Sequence, residues 1–498
     1  MQAAGDGCSA VCQCESDPCR FTAGPQVDLA SVVAGLGPGA TLTLASGTYR
    51  GTGVCGWRLS SWGAVPITIR GVPASGARVV IDCDSTGPLV EGVIVGSHLR
   101  LEGIHVKGAY RSGSGGAVLR AEQGSSVEMV NCAVTGAVSD ADGAVLVSSS
   151  SLIIRASHFE GNSAENGGSL AVVDGAQATL IDSTFTHCSA GTFGGACFIS
   201  RASSCVVHNT HFSFNDAVTK GGSIFCGDGS ALNISASFIS NSSAPRGGGA
   251  MVQMSSTVRI SHGSAFFGNE CGAWGGGMYI LLGRAEVDGT EGRIEFIENY
   301  AGGGGAMHTY LRNHLIIRGD VIVRGNFVRT DNPGIYVQAD STGEFYPGLI
   351  LRDNWAAGGA AGGLGLITGS HVVAEGILVE DNALAMEETE YGVGYGAGGV
   401  WVSNDCSLFL RNSIVRRNSA RHGGGLSLSV KHTHTLSHPL VHTYSSAYEQ
   451  THSQTSACAQ TRTQTHTDTH THRHTHTHTH RHHIRCVPFS WPAGSGCD

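Results

Sequence analysis

A unit of about 27 residues recurs along this chain to about residue 430, and no other feature restricts its folding as tightly. The unit is an apolar residue, two variable positions, Asn, a short spacer and a Gly pair, as in FEGNSAENGG over residues 159–168. Further copies read FSFNDAVTKGG, FISNSSAPRGGG, FFGNECGAWGGG, FIENYAGGGG and VRRNSARHGGG. The Asn slot is read at Asn162, Asn215, Asn241, Asn269, Asn299, Asn326, Asn354, Asn382 and Asn418, with Cys188 filling the gap after Asn162. The Gly pairs are Gly167 and Gly168, Gly194 and Gly195, Gly221 and Gly222, Gly248 and Gly249, Gly276 and Gly277, Gly304 and Gly305, Gly362 and Gly363, Gly398 and Gly399, and Gly424 and Gly425. Self-similarity at this period marks a solenoid, in which one unit stacks on the next.

The segments between the Asn slots decide which solenoid. SLIIRASHF, ATLIDSTF, SALNISASF and HLIIRGDVIV alternate apolar and polar residues, the signature of strands with one buried face. Between residues 131 and 430 no stretch carries a sustained 3.6-residue period. A coil of about 27 residues built from short strands and Gly turns fits a parallel β-helix. Leucine-rich repeats need a Leu and Asn pattern absent here, and propeller blades need about 40 residues. Stacked about 4.8 Å apart, the Asn side chains can turn inward and bond from coil to coil. Such a ladder satisfies polar groups that are otherwise costly to bury. The Gly pair fits a tight turn against the coils above and below, and the Phe before each Asn fits a stacked core. Residues 27–430 hold about fifteen coils at that period, a rod on the order of 70 Å long.

The pairing of FxxN with Gly-Gly, a small residue and an apolar one (GGSLAV, GGACFI, GGSIFC, GGGMYI, GGVWV) resembles the repeats of chlamydial polymorphic outer membrane proteins. It is also similar to the right-handed parallel β-helix, or pectin-lyase-like, proteins of algae and other protists. The resemblance covers roughly residues 27–430. It implies an all-β, single-stranded right-handed parallel β-helix. It leaves function open, because that architecture hosts lyases, hydrolases, adhesins and phage tail fibres.

The flanks differ in character. Residues 1–25 carry Cys8, Cys12, Cys14 and Cys19 without the basic start and apolar core of a secretion signal. Such density points to a disulfide knot in an oxidising compartment, the alternative being a zinc site with unusual spacing. The expectation is an extracellular or cell-surface protein whose own signal precedes this chain. Cys55 and Cys83 flank the opening strands and are a further candidate pair. Residues 26–36, QVDLASVVAGL, set Leu29, Val32, Val33 and Leu36 at helical spacing. A short helix there is expected to cover the open end of the rod, ahead of the first coil. Residues 431–485 are Thr-His low complexity and are read as a disordered tail, followed by a short segment over 486–498. The tract can chelate metal loosely. However, a CA dinucleotide repeat in one frame encodes the same alternation, so the tail reads as translated intron, and no metal or cofactor is assigned. The native protein is then expected to continue past residue 430 with further coils or another domain.

Composition limits the partners. A net charge of −9 lacks the basic stripe that nucleic acid requires. No run of 18 apolar residues is present to span a membrane as a helix. Asn233-Ile-Ser places a sequon on an outward strand position, a candidate N-glycan site; Asn241-Ser-Ser is a second, expected to be closed because Asn241 is read as a ladder residue. The largest irregularity is ALAMEETEYGVGYGA, between Asn382 and Gly398, which carries Glu387, Glu388, Glu390, Tyr391 and Tyr395. An insertion of this kind is more often a solvated loop, the alternative being a binding loop grafted on a rigid rod; Trp274, Trp355 and Trp401 near the turns either add a stacking surface or pack against neighbouring coils, the commoner fate of Trp. The NTD, DD, GHG and RIK segments of polygalacturonase-like hydrolases are absent. Candidate carboxylates for lyase chemistry are Asp82, Asp84, Asp140, Asp142, Glu375, Glu380 and Asp381. The preferred reading is a structural or adhesive rod binding a glycan or a surface protein. The alternative is a polysaccharide lyase or hydrolase.

Overall fold

The computed structural model describes residues 11–13, 20–59, 65–72, 78–385, 394–403, 405–428 and 441–444. Each coil repeats the same path. Ser151–Arg155 and His158–Glu160 form one wall with a corner between them, Ser163–Asn166 a second, and Leu170–Val173 a third. The next coil repeats it with Gln177–Ile181, Thr184–Thr186, Ser189–Phe193 and Cys197–Ile199, each strand parallel to its predecessor and in register. Stacking the walls gives sheets of 29, 11 and 13 strands. The solenoid has about 14 turns, close to the fifteen expected.

Alternation places every second side chain of a strand inside. Leu152 and Ile154, Phe159, and Leu170 and Val172 are buried in a core continuous with the equivalent residues of the other coils. The rings of Phe159, Phe185 and Phe212 stack at 4.8 and 5.0 Å, and Phe266 on Phe296 at 4.8 Å. Offset aromatic contacts of this kind add roughly 0.5–1.5 kcal/mol each beyond area burial.

The Asn slot forms a buried column. Asn269 Nδ2 donates to Asn299 Oδ1 at 2.9 Å, and the chain of bonds continues through Asn326, Asn354 and Asn382 to Asn418. Each Oδ1 also accepts the backbone N–H of the slot below, as from Asn299 to Asn326 at 2.9 Å. Asn162 and Asn215 serve singly, bonding to Val134 O and Phe185 O across the buried Cys188.

Asn241 departs from the expectation. It is exposed with φ +49°, and Ser242 fills the slot, donating its N–H to Asn269 Oδ1 at 3.2 Å. Strand pairing sets Ile239, not Phe238, beside Phe212, so this coil runs one residue later than the local pattern suggests.

The turn glycines also shift. In two of the three-Gly runs the left-handed residue is the first, Gly247 (φ +66°) and Gly275 (φ +74°), ahead of the expected pairs. Gly362, Gly363, Gly398, Gly399, Gly424 and Gly425 keep ordinary φ. Close stacking requires the glycine instead at all of these but Gly425: a Cβ on Gly398 would lie 2.3 Å from Ser419 O.

The helix Leu29–Ala34 forms, N-capped by Asp28, with Leu29 and Val33 buried. It lies after the first parallel strand, Arg20–Ala23, and not ahead of it. The edge beyond is Val11–Gln13, paired antiparallel to that strand. At the other end Val441–Tyr444, within the Thr-His segment, pairs parallel to Ser413–Arg416.

Candidate functional site

The insertion between Asn382 and Gly398 is anchored at both ends. Ala383–Leu384 leaves as a regular strand beside Trp355–Ala356. Gly394–Ala397 returns parallel to Gly359–Ala361, over a small cluster of Ala360, Ala361, Ala397 and Trp401. Glu387, Glu388, Glu390 and Tyr391 lie outside the described residues. Tyr395 falls in the returning strand, its side chain likewise outside them.

Beside the point where the insertion leaves is an outward aromatic column. Tyr300, Phe327 and Trp355 occupy one strand position on successive coils. Their rings stack at 5.1 and 4.7 Å, tilted by 16° and 26°. The Arg329 guanidinium lies 5.1 Å over the Tyr300 ring and bonds its hydroxyl. The column ends at Trp355, 42% exposed, because the same position one coil on is Ala383. A methyl group covers only part of an indole face.

A second aromatic row lies outside the third wall. Phe198, Phe225, Met251, Tyr279, His308 and Tyr336 follow each other coil by coil. They point outward yet are nearly all buried, packed under Phe193, Trp274 and Tyr310. His308 is the polar member: Nε2 lies 3.0 Å from Gln338 Oε1, and Nδ1 has no partner. Burial pushes its pKa down to about 3. The sequence showed this row in the residue after Gly-Gly-small-apolar, as in GGACF and GGSIF, which counted only as an apolar position. Of the three tryptophans expected near the turns, Trp274 and Trp401 are thus packed and Trp355 is open.

The candidate carboxylates are scattered and engaged. Asp82 and Asp84 both face Arg50 near one end. Asp142 accepts from Asn166 at 3.0 Å and Asp140 from the Tyr110 hydroxyl at 3.4 Å. Near the other end Glu380 accepts from Arg416 and Arg417 at 2.7 Å, and Glu375 accepts from Asn412 at 3.2 Å. The hydrogen bond from Arg417 holds the Asp381 carboxyl below its usual range. Among the described residues no three His, Cys, Asp or Glu side chains come together as a metal site. One hollow on the surface is an open dish lined by Met254, Leu282, Arg284 and Arg312, with no carboxylate in its lining.

Cys55 and Cys83 form a disulfide with Cα atoms 5.5 Å apart. Cys8, Cys14 and Cys19 lie outside the described residues, and of Cys12 only the backbone strand is described. Asn233 sits outward between buried Leu232 and Ile234.

A family model described as the right handed beta helix region matches residues 96–266. The fold is a right-handed parallel β-helix. No curated protein matches the chain. Among solved structures, the β-helix is similar to pectate lyase Pel9A over 59% of this chain and 71% of that one, at 16% identity and a TM-score of 0.28. A mannuronic acid specific family 6 polysaccharide lyase from human gut microbiota covers 82% of each chain at 10% identity and a TM-score of 0.31. The periplasmic alginate epimerase AlgG covers 76% of each at 11% identity and a TM-score of 0.28.

Proposed function

We propose that this β-helix is an extracellular or cell-surface rod that binds glycans through its outer face without turning them over. The Tyr300–Phe327–Trp355 column carries the reading: it holds an indole on a rigid wall with one face short of cover. An exposed indole face packs well against the apolar face of a pyranose, and the two rings behind it fix its orientation before binding. Against catalysis stands the ion pairing of the candidate carboxylates: Asp84 is held by Arg50, and Glu380 and Asp381 by Arg416 and Arg417.

A glycan array followed by calorimetry on the best oligosaccharide tests this. Trp355→Ala is expected to weaken binding about tenfold, the equivalent of one aromatic stacking contact, with an unchanged thermal melt. Equal affinity in the variant would overturn the site. Release of unsaturated or reducing ends from pectate or alginate with calcium would overturn the absence of turnover.

A further inference from the structure

The sequence contains two Asn-x-Ser sequons, at Asn233 and Asn241. We propose that Asn241 is an N-glycosylation site with a built-in seat for the first sugar, formed by Phe214 of the preceding coil. The proposal rests on passage through a secretory compartment, as the reading above requires. Asn241 escapes the buried column because Ser242 takes its slot. Its side chain is exposed on a left-handed turn and reaches over Gly268, whose missing side chain leaves room: a Cβ there would lie 2.7 Å from Asn241 Oδ1. The ladder asparagines spend Nδ2 on buried bonds, as Asn326 does to Asn354 at 2.9 Å; Asn241 Nδ2 makes no such bond, so losing one of its hydrogens breaks nothing in the fold.

Register supplies the seat. Ser213 pairs with Ser240, so Phe214 stands directly beneath Asn241 in the stack. The Phe214 ring is 52% exposed, and its lower face is covered by His187 at 5.2 Å and 9°. The upper face is turned to the coil that carries Asn241. Phe267, on the coil above, is exposed and pairs with Ser240, the residue before Asn241. An N-acetylglucosamine on Asn241 can lay its apolar face on Phe214 and cover phenyl surface that is otherwise open to water. In the transfer step Nδ2 attacks C1 of a lipid-diphosphate-linked oligosaccharide. The C1–O bond to the diphosphate breaks, the N–C bond forms, the lipid diphosphate leaves, and one amide proton is lost to base.

The full chain, given a secretion signal and a reporter sequon on a C-terminal tag, is secreted from eukaryotic cells and its glycopeptides are weighed. The reporter establishes that the chain has met the transferase, so forced secretion separates this claim from the natural location. Retention of the native protein inside its own cells would count against the extracellular reading alone. Asn241 occupied together with the reporter is the expected result; the reporter occupied and Asn241 empty overturns the proposal. On the folded protein, Phe214→Ala is expected to speed endoglycosidase release at Asn241 about fivefold without changing release at the reporter. An unchanged rate at Asn241 overturns the seat.

Discussion

Asn326 and Asn241 show how one residue type plays opposite parts at adjacent positions of the same corner. Asn326 Oδ1 accepts from the Asn299 N–H at 2.9 Å and from Asn299 Nδ2 at 3.0 Å, while its own Nδ2 reaches Asn354 and Phe296 O at 2.9 Å. Removing that amide strands a buried backbone donor and a carbonyl, and each orphaned group costs roughly 1–3 kcal/mol. Asn326→Ala is therefore expected to lower stability by about 2–5 kcal/mol, read as a drop in urea midpoint. Asn241→Gly, which copies Gly268 one coil on, is expected to move it by less than ~0.5 kcal/mol. Equal losses at the two positions would contradict the assignment of Ser242 to the column. The sequence could not separate them. FISN and ISNS both offer an apolar residue three places before a small polar one. Pairing with the coils on either side settles the choice, since a one-residue slip would turn every side chain of the strand to the wrong face. The Ser and Thr column at the first corner was hidden for the same reason. Ser157, Ser183, Thr210 and Ser237 each accept a backbone N–H from the coil below, yet in the sequence they look like ordinary turn residues.

At the scale of the element, the third wall is the unusual one, because both of its faces are apolar. Its inner face was legible as alternation. Its outer face, closed over by Phe193, Trp274 and Tyr310, was not, since a buried outer row breaks the apolar-polar rhythm that identifies a strand with one wet side. His308 pays for this in acid. Its folded pKa of about 3 lies below the ordinary 6.5, so between those values the unfolded chain holds a proton that the folded chain refuses. Stability contributed by the neutral ring is complete above pH 6.5 and falls as the pH drops through that value, by about 1.4 kcal/mol per pH unit. Between pH 6.5 and 5, where few carboxylates titrate, His308→Phe is expected to flatten the pH dependence of the urea midpoint while keeping an aromatic ring between Tyr279 and Tyr336. A variant whose slope matches that of the parent chain would show that the ring is protonated in the fold. The stretch from Arg284 to Ile297 shows the other limit of sequence reading. Three extra residues run the first wall through its corner as one 14-residue strand with a shift in register, and this gives the 30-residue step from Asn269 to Asn299. The repeat count revealed the insertion, but only the pairing shows that the coil absorbs it without leaving the stack.

For the whole molecule, the solenoid predicts that coils are interchangeable parts. Each one touches only the coils above and below, so stability is approximately a sum of coil and interface terms, and loss of an entire layer need not disturb the rest. Removing residues 327–354 tests this. Phe327 pairs with Trp355, so joining Asn326 to Trp355 closes the gap in register and sets Asn326 beneath Asn382. Trp355 then lands on Tyr300, and the outward aromatic column survives with one ring fewer. The shortened chain is expected to keep its far-UV circular dichroism per residue and to lose about 5 Å of maximum dimension in solution scattering, the spacing of one strand layer. Removing only residues 327–340 cuts the same coil halfway and joins a wall to the wrong corner, which is expected to abolish cooperative unfolding. If both deletions fail alike, stability is spread along the full length of the rod and not passed from neighbour to neighbour. If the 28-residue deletion succeeds, the Trp355 platform can be raised or lowered along the axis one layer at a time. Glycan affinity measured across such a series would then show how far the aromatic column acts independently of the coils beneath it.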